Sequence, residues 1–302
     1  MAENEMFNQD GQEAMRLNKF LSAAGVCSRR EADRLIEEGR VTIDGERAVL
    51  GDLVQPGARV KVNGRDVGTV KRLAEKKRVL IAVNKPVGVV CTTTDNDRAV
   101  NIVELVDYPQ RVYPIGRLDK DSEGLLLLTN RGELVNEILK AANYHEKEYL
   151  VRVDQPLTEG FVDKMRRGVH LNELQVTTRP CKLEIVDKMS FRITLTQGLN
   201  RQIRRMCEAL GYHVTGLKRV RIMNIRLGNL KPATWRNVTL EELKTLEELL
   251  KQAKKTEKQQ GGGKKTFESA AEYRKKTRSE KNYRVRQKEY FRKKQADREK
   301  KG

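Results

Sequence analysis

At 302 residues the chain has room for roughly two domains, and its 61 Lys plus Arg against 42 Asp plus Glu leave a net charge of +19. The longest apolar run, Leu125 to Leu128, falls far short of the ~20 residues of a membrane span. The polar, acidic start lacks the order of a signal peptide, and four dispersed cysteines with three histidines give neither a disulfide framework nor metal-ligand spacing. A reduced, cytoplasmic protein with a polyanionic partner is expected, and the metal reading is weak. The charge is unevenly spread. Residues 251–302 hold 20 basic and 7 acidic residues, or +13, and the first 250 hold 41 and 35, or +6.

Residues 1–14 read as a disordered N-terminus and 15–64 as a small domain of their own. Leu17, Phe20, Leu21 and Ala24 have helical spacing that Gly25 ends. Ser28-Arg29-Arg30-Glu31 matches a capping box opening a second helix, which Gly39 ends. Val41 and Ile43 lead into Asp44-Gly45, and Val60-Lys61-Val62 into Asn63-Gly64, both tight-turn signals. Residues 65–78 suit a linker. Beyond it, strands are expected at 79–83, 87–90, 112–115, 125–129, 149–153, 182–186 and 191–196. Between them lie helices at 133–141 (capped by Asn130), from Thr158 to Gly168, and at 201–210. Thr239-Leu240-Glu241-Glu242 is a further capping box opening a helix to about residue 253. Strands and helices mix without regular alternation, so the class is α+β and the second domain spans residues 79–253. Residues 254–302 read as a disordered or transiently helical basic tail.

Three segments could carry chemistry. Arg16, Lys19, Arg29, Arg30 and Arg34 gather on the two N-terminal helices. A solvated helix face is one account of them, but Arg29 and Arg30 occupy a first turn, where the helix dipole disfavours cations and a phosphate would be welcome. Gly116 to Gly124 is a polar turn before the leucine run. It could be a plain surface connection, or it could present Asp119, flanked by Arg117 and Lys120, as nucleophile or general base. Arg201, Arg204 and Arg205 crowd another helix start, a cluster that calls for RNA phosphate or an internal carboxylate. On the same helix Met206 and Cys207 fall on the apolar stripe and read as core. Tyr149 alternates with Val151 and Val153 and could equally be core.

These motifs together resemble a known family. Arg16-Leu17-Asn18-Lys19 through Ala32 is similar to an S4 RNA-binding domain, and GRLDKDSEGLLLLTN at 116–130 is similar to the active-site motif of the RsuA-type pseudouridine synthases. Asn84-Lys85-Pro86-Val87-Gly88, Lys147-Glu148-Tyr149-Leu150-Val151 and Arg201-Gln202-Ile203-Arg204-Arg205-Met206 resemble the family's other motifs, and the match spans about residues 16–250. The resemblance implies an S4 domain followed by a mixed-sheet catalytic domain that isomerises uridine to pseudouridine in RNA, with no cofactor or metal required. It makes Asp119 catalytic, Tyr149 the ring beneath the target base and Arg204 the partner of Asp119. Arg117 would fill the space of the flipped base, with Lys85, Arg201 and Arg205 as further substrate-side residues. Whether Asp119 acts on the sugar carbon or on the base stays open. Residues 145–149 and 198–201 look most like the large-subunit branch, implying 23S rRNA as partner, with a tRNA as an open second substrate and a monomer expected. The competing reading is a non-catalytic S4-domain assembly factor.

Overall fold

A computed structural model describes residues 14–70, 73, 78–91, 99–139 and 144–260. Contacts divide the chain into units Met1–Lys254 and Lys255–Gly302. The expected N-terminal disorder, apart from Ala14, and the tail beyond residue 260 lie outside the described residues. Among the described residues no helix is long and apolar enough to cross a membrane.

The first domain begins with β1 (Met15–Arg16), α1 (Leu17–Ala24) and α2 (Arg29–Glu37). Gly25 ends α1 in the left-handed region at φ 87°, its N–H returning to Leu21 and Ser22 carbonyls. Ser28 accepts from the Glu31 N–H as a cap should, while the Glu31 carboxylate turns to Arg34 instead of closing the box. Strands β2 (Val41–Ile43), β3 (Glu46–Arg47), β4 (Leu53–Val54), β5 (Val60–Val62) and β6 (Arg65–Gly68) follow. The sheet order is β3-β2-β5-β6, with β4 pairing β1 separately. Leu17, Phe20, Leu21, Leu35, Val41 and Val60 form the core.

The domain therefore does not stop at residue 64. Asn63 and Gly64, at φ 52° and 75°, make the doubly positive turn that folds a chain back as a hairpin. The start of the expected linker is consequently the strand β6, and Val70 and Leu73 still pack on this core.

The second domain contains β7 (Leu80–Lys85), α3 (Ile102–Val106), β8 (Tyr113–Pro114), β9 (Glu123–Thr129), α4 (Gly132–Leu139), β10 (Lys147–Val153) and α5 (Glu159–Arg167). Then come the β11–β12 hairpin (His170–Leu171, Val176–Thr177), β13 (Lys182–Asp187), β14 (Ser190–Leu195) and α6 (Gln202–Glu208). β15 (Val214–Ile222), β16 (Ile225–Arg226), β17 (Trp235–Asn237) and α7 (Leu240–Gln260) complete it. A nine-stranded mixed sheet runs β13-β14-β10-β15-β9-β7-β17, with β16 added to β15 and β8 to β9. The class is α+β, as the pattern implied. The leucine run is β9, buried on both faces. Leu125 and Leu127 meet Leu134, Ile138, Leu246 and Leu250 from α4 and α7, and Leu126 and Leu128 meet Ile81, Val83, Ile102 and Val106 on the other side.

Two local expectations fail. Residues 87–90 form no strand, because Pro86 and Gly88 (φ 92°) turn the chain and only Val90 makes a bridge, to Asn101. Asn130 does not cap α4: its side-chain oxygen accepts from the Val79 N–H, tying β9 to the start of β7.

Candidate active site

The sheet has two halves, and they meet where β9 lies parallel to β15, pairing Lys218 with Glu123 and Arg219 with Gly124. The polar turn at 116–122 enters β9 at this seam. A β-carbon on Gly124 (φ 104°) would come within 2.3 Å of the Arg219 carbonyl oxygen and 2.8 Å of its nitrogen. Glycine is therefore what lets the turn come so close to β15.

The turn is pinned by its own carbonyls. Lys85 Nζ donates to the Ser122 carbonyl at 2.7 Å, Arg204 Nη2 to the Asp121 carbonyl at 3.0 Å, and the Gly88 N–H to the Lys120 carbonyl at 2.7 Å. Arg219 donates to the Leu125 carbonyl at 2.7 Å through Nε, with a longer contact from Nη1 to the Arg117 carbonyl at 3.5 Å. The Ser122 N–H closes the turn on the Asp119 carbonyl at 3.1 Å. Three of these donors are cations out of water, with Lys85 0%, Arg219 4% and Arg204 7% exposed. Burying cations is costly unless carboxylates and carbonyls surround them. Burial accordingly lowers the Lys85 ammonium from its usual value, while Cys91, Asp121, Asp119 and Glu123 act the other way.

The two carboxylates of the turn differ. Asp121 is held by Arg204 at 3.2 Å and Arg201 at 3.4 Å. Among the described residues Asp119, 32% exposed, has only a long ion pair with Arg201 at 3.5 Å. Asp119 is thus the less engaged of the two, with a buried Leu118 and Ser122 on either side, although Asp121 is the more exposed at 49%. Arg201 reaches both from an unusual position: it caps α6 in the left-handed region at φ 50°, without a side-chain capping bond. Non-glycine residues seldom adopt this conformation.

Tyr149 belongs to the same seam. On β10 it stands opposite Arg219 of β15, which in turn stands opposite Gly124 of β9. Residues in such a cross-strand row share a face, so Tyr149 lies two strand spacings, about 10 Å, from the start of β9. It is half-buried against the core formed by Val151, Phe161, Ile203 and Met206. Arg117 is exposed and its guanidinium has no partner among the described residues.

The pairings differ from those the resemblance implied. Asp119 pairs with Arg201, and Arg204 is taken by Asp121 and by the Asp121 and Val214 carbonyls. Lys85 is fully enclosed and its ammonium holds the turn. Arg205 turns away to Glu173 and the Asn200 carbonyl. On the S4 side, Arg34 is engaged by Glu31 and Glu38 along its own helix, Lys19 pairs with Glu133 at 3.4 Å, and Arg16, Arg29 and Arg30 are exposed. Met206 and Cys207 are core, as read, and burial pushes the Cys207 thiol up to about 12. Asp121, Ser122 and Arg219 were not among the expected site residues. Asp121 and Ser122 stood inside the quoted motif, but Arg219 is hidden in the basic run LKRVRI, where nothing distinguishes a buried arginine from a solvated one.

Comparison with known proteins agrees with this architecture. Residues 79–209 match the family model described as RNA pseudouridylate synthase, and 15–60 match the S4 domain. The chain is 54% identical over 237 residues to the dual-specificity RNA pseudouridine synthase RluF of Escherichia coli (strain K12), covering 78% of this chain and 80% of that protein. It is 35% identical over 240 residues to the ribosomal large subunit pseudouridine synthase B of Bacillus subtilis (strain 168), covering 78% and 96%. A pseudouridylate synthase crystal structure superimposes with a TM-score of 0.56 at 30% identity, covering 77% of this chain and 99% of that one. A pinned acidic turn at the seam of a mixed sheet, an S4 domain before it, and sequence identity along most of both chains lead to one assignment: the chain belongs to the RNA pseudouridine synthase family, isomerases that act on RNA.

Proposed function

We propose that the protein isomerises one specific uridine of 23S rRNA to pseudouridine, with Asp119 as the carboxylate that meets the flipped nucleotide. The supporting observation is the contrast within the turn: Asp121 pairs with both Arg201 and Arg204, whereas Asp119 has one longer pair with Arg201 and stands on a backbone fixed by buried cations. In the reaction the C1′–N1 bond breaks, the uracil turns in place, and C5 bonds to C1′ as the C5 proton leaves and N1 gains one. Atoms are conserved and no electrons are exchanged.

The uridine must first leave its stack, which costs a few kcal/mol, less in a loop or bulge. Arg117, exposed and unpartnered beside Asp119, takes the vacated position, where a guanidinium can both stack and bond phosphate. Tyr149 holds the flipped ring by stacking, a contact of about 1–3 kcal/mol in single-strand binders. Arg201 aims the Asp119 carboxylate, and Lys85, Arg204 and Arg219 keep the turn from yielding as the base rotates. The exposed cations of α1 and α2 hold the RNA backbone, which positions without reading sequence. The large-subunit target is supported by the name of the B. subtilis relative. The dual-specificity name of the E. coli relative favours a second RNA substrate, for which tRNA is the candidate.

Asp119→Asn is expected to abolish modification while RNA affinity stays within about threefold. Carbodiimide-adduct primer extension on rRNA and tRNA from a deletion strain, complemented with wild type or variant, reads the target and the loss together. Full modification by the variant would remove Asp119 from the mechanism. Tritium release from C5-labelled RNA separates the enzyme from the non-catalytic assembly factor, which would bind without release.

A further inference from the structure

The far end of β9 carries a second cationic feature that the turn does not use. Where β9 ends at Thr129 and leads into α4, the S4 helices α1 and α2 face the catalytic domain across a cleft of about 700 Å³. Five cations line it: Lys19 and Arg29 from the S4 side, Arg78, Arg111 and Arg131 from the catalytic side, against the carboxylates Glu133 and Glu137. Two of the five are paired, Lys19 with Glu133 at 3.4 Å and Arg131 with Glu247 at 3.5 Å. Arg29, Arg78 and Arg111 have no side-chain partner among the described residues. Burial and then Glu133 hold the Tyr113 phenol above its usual range, against the opposing pull of Arg29 and Arg111, so it stays a hydrogen-bond donor. The unpaired guanidiniums and the phenol leave donors and positive charge in excess, since five cations face two carboxylates in the cleft. Like charges brought together by folding are unfavourable until an anion joins them, and guanidinium forks fit phosphate oxygens in two-point contact.

We infer that this cleft is a second RNA-backbone site, built jointly by the two domains, that binds phosphates remote from the reacting uridine. The inference rests on the proposed RNA substrate and deepens it. β9 runs from the catalytic turn at Glu123 to the cleft at Thr129, so the two sites lie roughly 20 Å apart along one rigid central strand. RNA gripped at both ends of β9 is therefore held in one register relative to Asp119, and Arg78 and Arg111 make the catalytic domain part of the grip that the S4 helices begin.

The test uses the full chain and an unmodified in vitro transcript of 23S rRNA, with filter binding from low to moderate salt. Arg78→Gln with Arg111→Gln should weaken binding about tenfold and lower the slope of log K against log salt by roughly 1.4–1.8, the counterion release of two phosphate contacts. Arg78→Lys with Arg111→Lys keeps the charge and should keep the wild-type slope. Lys188→Gln with Lys231→Gln removes two exposed charges elsewhere and should leave the slope unchanged. An unaltered slope in the first pair overturns the site, as does an equal fall in the lysine pair or in the remote pair. Tritium release is read on the same samples. A wild-type chain that bound but released no tritium would remove the enzymatic reading, while the binding arms would still decide the cleft.

Discussion

Lys147, two residues before Tyr149 on β10, shows what a half-buried charge does in this site. Burial, followed by repulsion from Arg219, brings its ammonium down from 10.5 to about 8, and it donates to the His145 carbonyl at 3.2 Å. Below pH 8 the folded and unfolded chains both hold the proton, and folding bears the whole cost of enclosing the charge. Between about pH 8 and 10.5 the unfolded chain keeps a proton that the folded chain has lost, so stability rises with pH. Above 10.5 both forms are neutral and the cost is gone. Lys147→Met, apolar and of similar reach, should therefore stabilise the fold at pH 7 by about 1–3 kcal/mol. The gain should shrink through the window and vanish above it. Urea unfolding of both proteins at pH 7, 9 and 10.5 measures this, and a difference independent of pH would show that the ammonium is not the source. Single residues also explain the limits of sequence reading here. The motif around Asp119 located the turn, but the choice of Arg201 over Arg204 as its partner depends on a left-handed backbone at Arg201, which only the folded loop reveals.

At the level of elements, the decisive junction is the parallel β9–β15 pair, since it joins the half of the sheet carrying Tyr149 to the half carrying Asp119. Gly124→Ala would drive a methyl into the Arg219 backbone, where no flexible side chain can yield, and would strain a positive φ as well. The strands must part. A destabilisation of about 3–5 kcal/mol is expected, with tritium release falling far more than RNA binding, because the turn loses its register with β15. Calorimetry with the release assay checks both, and an alanine variant with wild-type melting and turnover would mean that the junction is not tight. The same pair shows why some elements were legible and others were not. Capping residues Ser28, Thr158 and Thr239 each accept the expected N–H, and the uninterrupted leucines of β9 advertise a strand covered on both sides. β15 carries no such signature, because its inward face is occupied by Arg219 between Leu217 and Ile222. A register shift also offsets its pairing with β10 between Glu148 and Tyr149, so neither hydrophobic alternation nor composition marks it as the centre of a sheet.

For the whole molecule, the net charge of +19 describes three zones with different work: cations buried around the turn, cations facing the inter-domain cleft, and the basic C-terminal segment. The sequence alone divides the last zone from the rest at residue 251 by composition, but α7 crosses that boundary, with Leu246 and Leu250 buried in the core against Leu125 and Leu127. A truncation there would cut immediately after a core residue and confuse folding with binding. Ending the chain after Gln260 keeps α7 whole and removes 16 basic and 6 acidic residues. That variant should melt at the wild-type temperature and modify saturating RNA in a single turnover at the wild-type rate, since no residue of the turn or of β10 is lost. Its affinity for the 23S transcript should fall, most steeply at low salt, with a shallower dependence on salt concentration. Filter binding across a salt series beside single-turnover tritium release distinguishes the outcomes. An unchanged salt dependence would reduce the segment to a solubilising extension, and a collapse of the single-turnover rate would place part of the catalytic machinery within it.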